Sequence, residues 1–166
     1  LAKTTVATER DVQLVLSEDS QLAGTDMRTN MLLSIVGNLI DNAIDAAAAG
    51  PRPASVTMRL TNSDEVITIE VSDSGRGVPE ELSTRIFTDG FTTKSPAGDR
   101  HRGIGLALVH RLATRAGGTI AVDCSGPTTF TVVLPITQQP ESQGAEGSGE
   151  AAGGAGGGPA GVEVGA

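Results

Sequence analysis

The chain has 166 residues, a net charge of −8 and no tryptophan or tyrosine, so its core must be aliphatic, with Phe87, Phe91 and Phe130 adding the only phenyl rings. That composition excludes nucleic-acid recognition by base stacking, and the negative charge argues against a general polyanion binder. Residues 137–166 are rich in glycine and alanine and hold half the net charge in Glu141, Glu146, Glu150 and Glu163. Such a segment cannot offset its ordering entropy by burial and reads as a disordered tail, which leaves residues 1–136 as one domain.

In chain order, residues 1–10 have helical composition without a clear face and read as a short connector. Residues 12–16 alternate as a strand does, and polar turn residues follow up to Gly24. Thr25 or Asp26 can then cap a helix over residues 27–49, which Gly50 and Pro51 stop. Residues 55–60 and 66–72 read as an antiparallel hairpin that turns through Asn62, Ser63 and Asp64. A short helix is expected over residues 79–87, and SPAGDRHR at 95–102 reads as a polar, basic, mobile lid. A second helix opens at Gly103, carries Ile104, Leu108 and Leu112 on one apolar stripe, and ends at Gly117 and Gly118. Strands at 119–124 and 130–135 complete the domain, with the lone cysteine, Cys124, packing as a small hydrophobe at a strand end. There is no signal-peptide pattern and no uninterrupted apolar run near 18 residues, so a soluble, cytoplasmic domain is expected. The chain opens on Leu1 in what looks like mid-segment and reads as a piece of a longer protein.

The segment NLIDNAIDAAAA, residues 38–49, organises the rest. On a helical wheel Asn38, Asp41, Asn42 and Asp45 fall within an arc of about 100°, opposite Leu32, Val36, Leu39, Ala43 and Ala47. A solvated face accounts for the charges. It does not account for asparagine, whose side chain competes for backbone hydrogen bonds and lowers helix propensity. A neutral amide oxygen is instead a hard ligand that suits Mg²⁺, and the two readings stand side by side at this point. The strand at 66–72 runs into Asp73-Ser74-Gly75-Arg76-Gly77, an acid followed by two glycines, which is either an ordinary turn or a close backbone approach to a ligand. Arg85, Lys94, Arg100, Arg102, Arg111 and Arg115 face only Asp89 and Asp99 in their stretch, a cationic patch suited to a small anion or simply a solvated surface. The helix opening at Gly103 can present free N–H groups to phosphate oxygens. A dinucleotide-binding turn with Asp123 as the ribose acid is disfavoured, because the glycines follow a polar run rather than a buried strand.

In this order the Asn-x-x-x-Asn helix, the Asp-x-Gly-x-Gly turn, the segment IFTDGFTTK, the basic lid and HRGIGLALVHRLA closely resemble the N, G1, F and G2 boxes of sensor histidine kinases. Their ATP-binding domain is shared with DNA gyrase, heat-shock chaperones and mismatch-repair ATPases, and the details look most like the kinases that sense citrate and C4-dicarboxylates. The resemblance implies an α+β domain with the Bergerat-type ATP-binding fold, a two-layer α/β sandwich in which a mixed, mostly antiparallel sheet packs on about three helices. It implies ATP and Mg²⁺ as ligands, with Asn38 and Asn42 as the catalytic positions. Asn42 would hold the metal and Asn38 would line the phosphate site. Asp73 would accept a hydrogen bond from the adenine amino group and so select ATP over GTP, while Gly75 and Gly77 bring the backbone to the base. Gly103 and Gly105 would let the lid and helix close on phosphates that Lys94 and Arg102 neutralise.

Two departures from the family pattern matter. Where gyrase-type ATPases carry a glutamate that activates water, this chain has Asn38, which cannot act as a general base and so favours transfer to a protein acceptor. Where many histidine kinases have the first G2 glycine, it has His101. Neither His101 nor His110 matches an acceptor motif. The implied acceptor is therefore a histidine on a separate dimerisation domain of the same full-length kinase, with a response regulator downstream and any inner-membrane anchor in upstream segments. Nucleic acid and membrane contact by this domain are not expected. An anti-sigma-factor-type serine kinase and a non-catalytic nucleotide-binding interaction module are the alternatives.

Overall fold

A computed structural model describes residues 2–21, 29–88, 90 and 104–136. The predicted helix caps Thr25 and Asp26, Phe91, the lid at 95–102 and the tail at 137–166 lie outside the described residues. The architecture is α+β. One five-stranded sheet packs on helices α1 (Ala2–Glu9), α2 (Thr29–Ala48) and α3 (Gly105–Arg115). The strands are β1 (Val12–Leu16), β2 (Ala54–Asn62), β3 (Val66–Asp73), β4 (Thr119–Asp123) and β5 (Thr128–Pro135), in the order β1-β2-β3-β5-β4. β1 runs parallel to β2, with α2 as the crossover that a parallel pair requires, and the other three pairings are antiparallel.

The sheet's registers decide where its chemistry sits. β3 is VITIEVSD, and its β-branched residues alternate between the faces, burying Ile67, Ile69, Val71 and Asp73 on one side. β5 buries Thr128, Phe130, Val132 and Leu134 in the same way. The register sets them directly opposite: Ile67 with Leu134, Ile69 with Val132, Val71 with Phe130, and Asp73 with Thr128. Three apolar pairs form the floor of the core, each buried side chain contributing about 1.5–3 kcal/mol, and the fourth pair is polar. The β2–β3 hairpin closes through Ser63, whose N–H donates to the Val66 carbonyl at 2.9 Å while its Oγ accepts from the Glu65 and Val66 amides.

α2 roofs this floor with Ile35, Leu39, Ile40, Ala43, Ile44 and Ala47. By length and a mean hydropathy of 1.3 over Asn30–Ala48, α2 could cross a membrane. Its apolar face instead covers the sheet, as in a core helix. The buried arc is rotated from the predicted one, since Leu32 and Val36 are only partly buried and Ile35 takes the centre.

Three other elements differ from the sequence reading. Residues 2–9 are not a loose connector: α1 buries Ala7, and its Lys3 and Arg10 just beyond it form ion pairs with Asp41 and Asp45 of α2. Residues 79–87 form two 3₁₀ turns, Glu80–Leu82 and Arg85–Phe87, in place of one helix. α3 buries Ala107, Val109 and Ala113, with Leu112 packed partly buried against the core, in place of Ile104 and Leu108, because Ile104 is the N-cap and stands 43% exposed. Anchoring the stripe on a residue outside the helix rotates the wheel by about one position, or 100°.

Candidate functional site

The site begins with the polar end of the core floor. Among the described residues Asp73 and Thr128 are the two buried polar side chains, each 2% exposed. Both owe their burial to strand alternation, which sends the last residue of β3 and the first of β5 inward beside Val56 of β2. A buried carboxylate needs hydrogen-bond donors, and the turn supplies one: Gly75 N–H donates to Asp73 Oδ1 at 2.8 Å. Ser74 ties the same turn to β2, donating its N–H to the Ser55 carbonyl at 3.0 Å and accepting from Ser55 N–H through Oγ at 2.9 Å.

Gly75 also touches α2. A β-carbon on it would lie 2.5 Å from Asp73 Oδ1 and 2.9 Å from the Ala46 carbonyl oxygen, so no other residue fits without moving the helix or the acid. Gly77 has φ +84° with open space around it, and its requirement is conformational rather than steric.

The polar face of α2 is divided along its length. Asp41 and Asp45, grouped with the asparagines in the sequence reading, form the margin that meets α1. Asn38 and Asn42, both partly buried, form the other margin. Asn38 Nδ2 donates to the Ser34 carbonyl at 2.7 Å, within its own helix, and this turns Oδ1 toward α3. There a β-carbon on Gly105 would stand 3.2 Å from that oxygen, so Gly105 lets α3 begin close against Asn38. The first turn of α3 has no side-chain cap. Its amide groups are the kind of donors that receive an anion.

The structure therefore places Asn38, Asn42, Asp73, Gly75, Gly77 and Gly105 around α2, the β3 turn and the start of α3. Lys94, Arg102, Gly103 and His101 lie outside the described residues. Arg85, Arg111 and Arg115 of the predicted cationic patch are exposed. His110 is exposed and its ring stacks on Phe87, with centroids 5.9 Å apart, while Phe87 meets Phe130 edge-on at 6.4 Å. A groove of about 480 Å³ beside this stack, between the 3₁₀ turns, α3 and β4, contains none of the predicted site residues. Cys124 follows β4 and is partly buried. Asp123 is an exposed turn acid whose carboxylate is held below its usual range by hydrogen bonds from the Ser125 amide and side chain. A surface acid on an edge strand is no ribose site.

Sequence reasoning did not single out Thr128 and Gly50, which lie against Asp73 and Gly75. Thr128 carries no motif of its own, and only its register opposite Asp73 marks it. Gly50 reads as ordinary helix punctuation until its neighbours are known.

An acid on the inward face of a core strand, a glycine turn pressed on it and a facing helix with paired asparagines are the layout of an ATP-binding α+β domain. The family model described as histidine kinase-, DNA gyrase B- and HSP90-like ATPase matches residues 27–138, and the chain belongs to that family. It is 35% identical over 140 residues to a probable C4-dicarboxylate sensor kinase of Halalkalibacterium halodurans, a match covering 81% of this chain and 26% of that protein. It is 39% identical to the sensor histidine kinase CitA of Klebsiella pneumoniae, over 69% of this chain and 21% of the relative, and 38% identical to the sensor protein CitS of Bacillus subtilis, over 84% and 26%. The chain thus spans about a quarter of the length of these relatives. Among solved structures, full-length ShkA in complex with AMPPNP superposes with a TM-score of 0.68 at 25% identity, over 81% of this chain and 28% of that one. The catalytic domain of the histidine kinase ThkA, at 20% identity, shares the fold with a TM-score of 0.66 over 81% of this chain and 88% of its own.

Proposed function

We propose that the chain is the ATP-binding catalytic domain of a two-component sensor histidine kinase of the citrate- and C4-dicarboxylate-sensing kind, working in the cytoplasm. It transfers the ATP γ-phosphoryl group to a histidine on the dimerisation domain of the same kinase, from which a response regulator receives it. The observation that carries this reading is the Asp73 carboxylate, buried at the inward end of β3 and oriented by the Gly75 amide. Asp73 accepts a hydrogen bond from the adenine amino group, and guanine, with a carbonyl at that position, is rejected. Asn38 faces the start of α3, where the free amides of the first turn meet the phosphates together with Lys94 and Arg102, while Gly103 gives the backbone room to close.

The residues present suit a magnesium ion. Among the described residues no three His, Cys, Asp or Glu side chains cluster as a metal cage, and a Mg²⁺ held by ATP phosphates needs only one or two hard protein oxygens. Asn42 supplies that oxygen, and the metal would neutralise phosphate charge during transfer. The protein's own share is positioning: a fixed base, a helix that sets the phosphates against α3, and no carboxylate at position 38 to activate water. The names of the relatives support a histidine kinase over a serine kinase or a non-catalytic module.

Titration calorimetry tests the site. ATP binds in the presence of Mg²⁺ and GTP does not; Asp73→Asn loses ATP, and Asn42→Ala loses the Mg²⁺ dependence. Equal binding of all forms overturns the assignment. Phosphorylation of a supplied histidine-bearing dimerisation domain from labelled ATP then tests transfer.

A further inference from the structure

Gly50 closes α2, but not in the way a terminal glycine usually closes a helix. A C-terminal glycine is ordinarily selected for a left-handed backbone, and Gly117 after α3 shows that arrangement with φ +77°. Gly50 is absent from the left-handed region. What makes it glycine is contact: a β-carbon there would stand 2.7 Å from Gly75 Cα, 3.0 Å from the Ser74 carbonyl oxygen and 3.1 Å from the Gly75 carbonyl carbon. All three are backbone atoms, so no side-chain rotation can relieve them. Gly75 is the reciprocal case, with its missing β-carbon facing the Ala46 carbonyl. Two chain segments meet backbone to backbone because each lacks a side chain where the other passes.

We propose that Gly50 is a specificity-determining positioning residue, which seats the end of α2 against Gly75 and so fixes the Asp73 carboxylate as the acceptor for a purine 6-amino group. This rests on the assignment of Asp73 to the adenine. Gly75 N–H donates to Asp73 Oδ1, so a displacement of Gly75 changes the geometry of that bond and with it the hold on the carboxylate. Asp73 itself cannot follow such a displacement, because it is locked in register between Val56 and Thr128. Ser74 resists from the far side through its two hydrogen bonds to Ser55. A methyl at position 50 therefore acts on the orientation of one carboxylate rather than on the core. The same contact makes α2 a spacer between the two ends of the proposed site: eight helical steps, about 12 Å at 1.5 Å each, separate Asn38 from Ala46. A site built around a hydrogen bond discriminates strongly against an analogue that lacks the bonded group, so nucleotide discrimination reads out this positioning.

The test measures binding of ATP and of purine riboside 5′-triphosphate, which has no 6-amino group, to wild type, Gly50→Ala, Asp73→Asn and the double variant, with circular dichroism melts confirming that each is folded. Wild type should prefer ATP. Gly50→Ala should weaken ATP by about tenfold, the loss expected when a hydrogen bond to a charged acceptor is misaligned, and leave the amino-free nucleotide within about twofold. The double variant should bind ATP no more weakly than Asp73→Asn alone. If Gly50→Ala does not fold, Ser74→Ala loosens the same turn without adding atoms and should lower the ATP preference; an unchanged preference overturns the inference. A Gly50→Ala protein that keeps the full preference, even with both nucleotides weakened equally, also overturns it while sparing the Asp73 assignment. A wild type that does not distinguish the two nucleotides overturns both.

Discussion

Two sets of acids border α2, and they sit in opposite environments. Asp41 and Asp45 sit at the surface, each paired with a cation brought by the first residues of the chain. Asp73 is buried, and the Gly75 backbone amide donates a hydrogen bond to it. A charge met by a mobile surface charge docks one helix on another and adds little stability. A charge met by a fixed dipole inside the fold sits in a lower local dielectric, where its electrostatic interactions are stronger than at the surface. Acids alike in sequence therefore differ in environment: the surface pair docks α1 on α2, and the buried one is the acid we propose for the nucleotide.

The sharpest way to break this contrast is Asp73→Asn. Losing a hydrogen bond to a charged acceptor should raise the ATP dissociation constant about 10–100-fold, while GTP binding hardly changes, as calorimetry would show. Asn42→Ala comes next, since it lies on the site margin of α2 only one residue from Asp41. ATP affinity in Mg²⁺ should fall to the metal-free value, whereas Asp41→Ala should leave the Mg²⁺ dependence intact. Thr128→Val removes a buried hydroxyl beside Asp73 at nearly constant volume. It should weaken ATP by about fivefold, the equivalent of one neutral hydrogen bond of ~1 kcal/mol, with the melting temperature read in parallel.

Smaller effects belong to the surface acids. Lys3→Ala and Arg10→Ala should each cost about 0.2–1 kcal/mol in urea melts, less in high salt, with ATP affinity untouched. Asp123 is the weakest case. Its carboxylate is depressed by Ser125, so its contribution to stability is complete above the unfolded-state pKa and is lost as pH falls through the lower folded value. An NMR titration of Ser125→Ala should show the Asp123 midpoint move up toward the ordinary carboxylate range.

The asparagine pair, the acid-glycine turn and the order of elements could be read from the chain because each depends on local pattern: periodicity, propensity and the glycines that punctuate it. Strand bounds were legible to within one or two residues for the same reason, as β3 at Val66–Asp73 against a predicted 66–72 shows. Pattern could not divide the polar face of α2, because Asp41 and Asn42 are adjacent and only the docking of α1 decides which margin each joins. It misplaced the buried stripe of α3, because where the helix begins decides the stripe and Ile104 proves to be its N-cap. Thr128 came to lie opposite Asp73 through the β3–β5 register, 55 positions away along the sequence. Gly50 came against the turn after Asp73 through a backbone contact with Gly75. The sequence alone determined the kinds of chemical group and the elements that carry them, because those follow from neighbours along the chain. Tertiary structure decided which groups face one another, because burial and register depend on segments that meet only after the chain has folded.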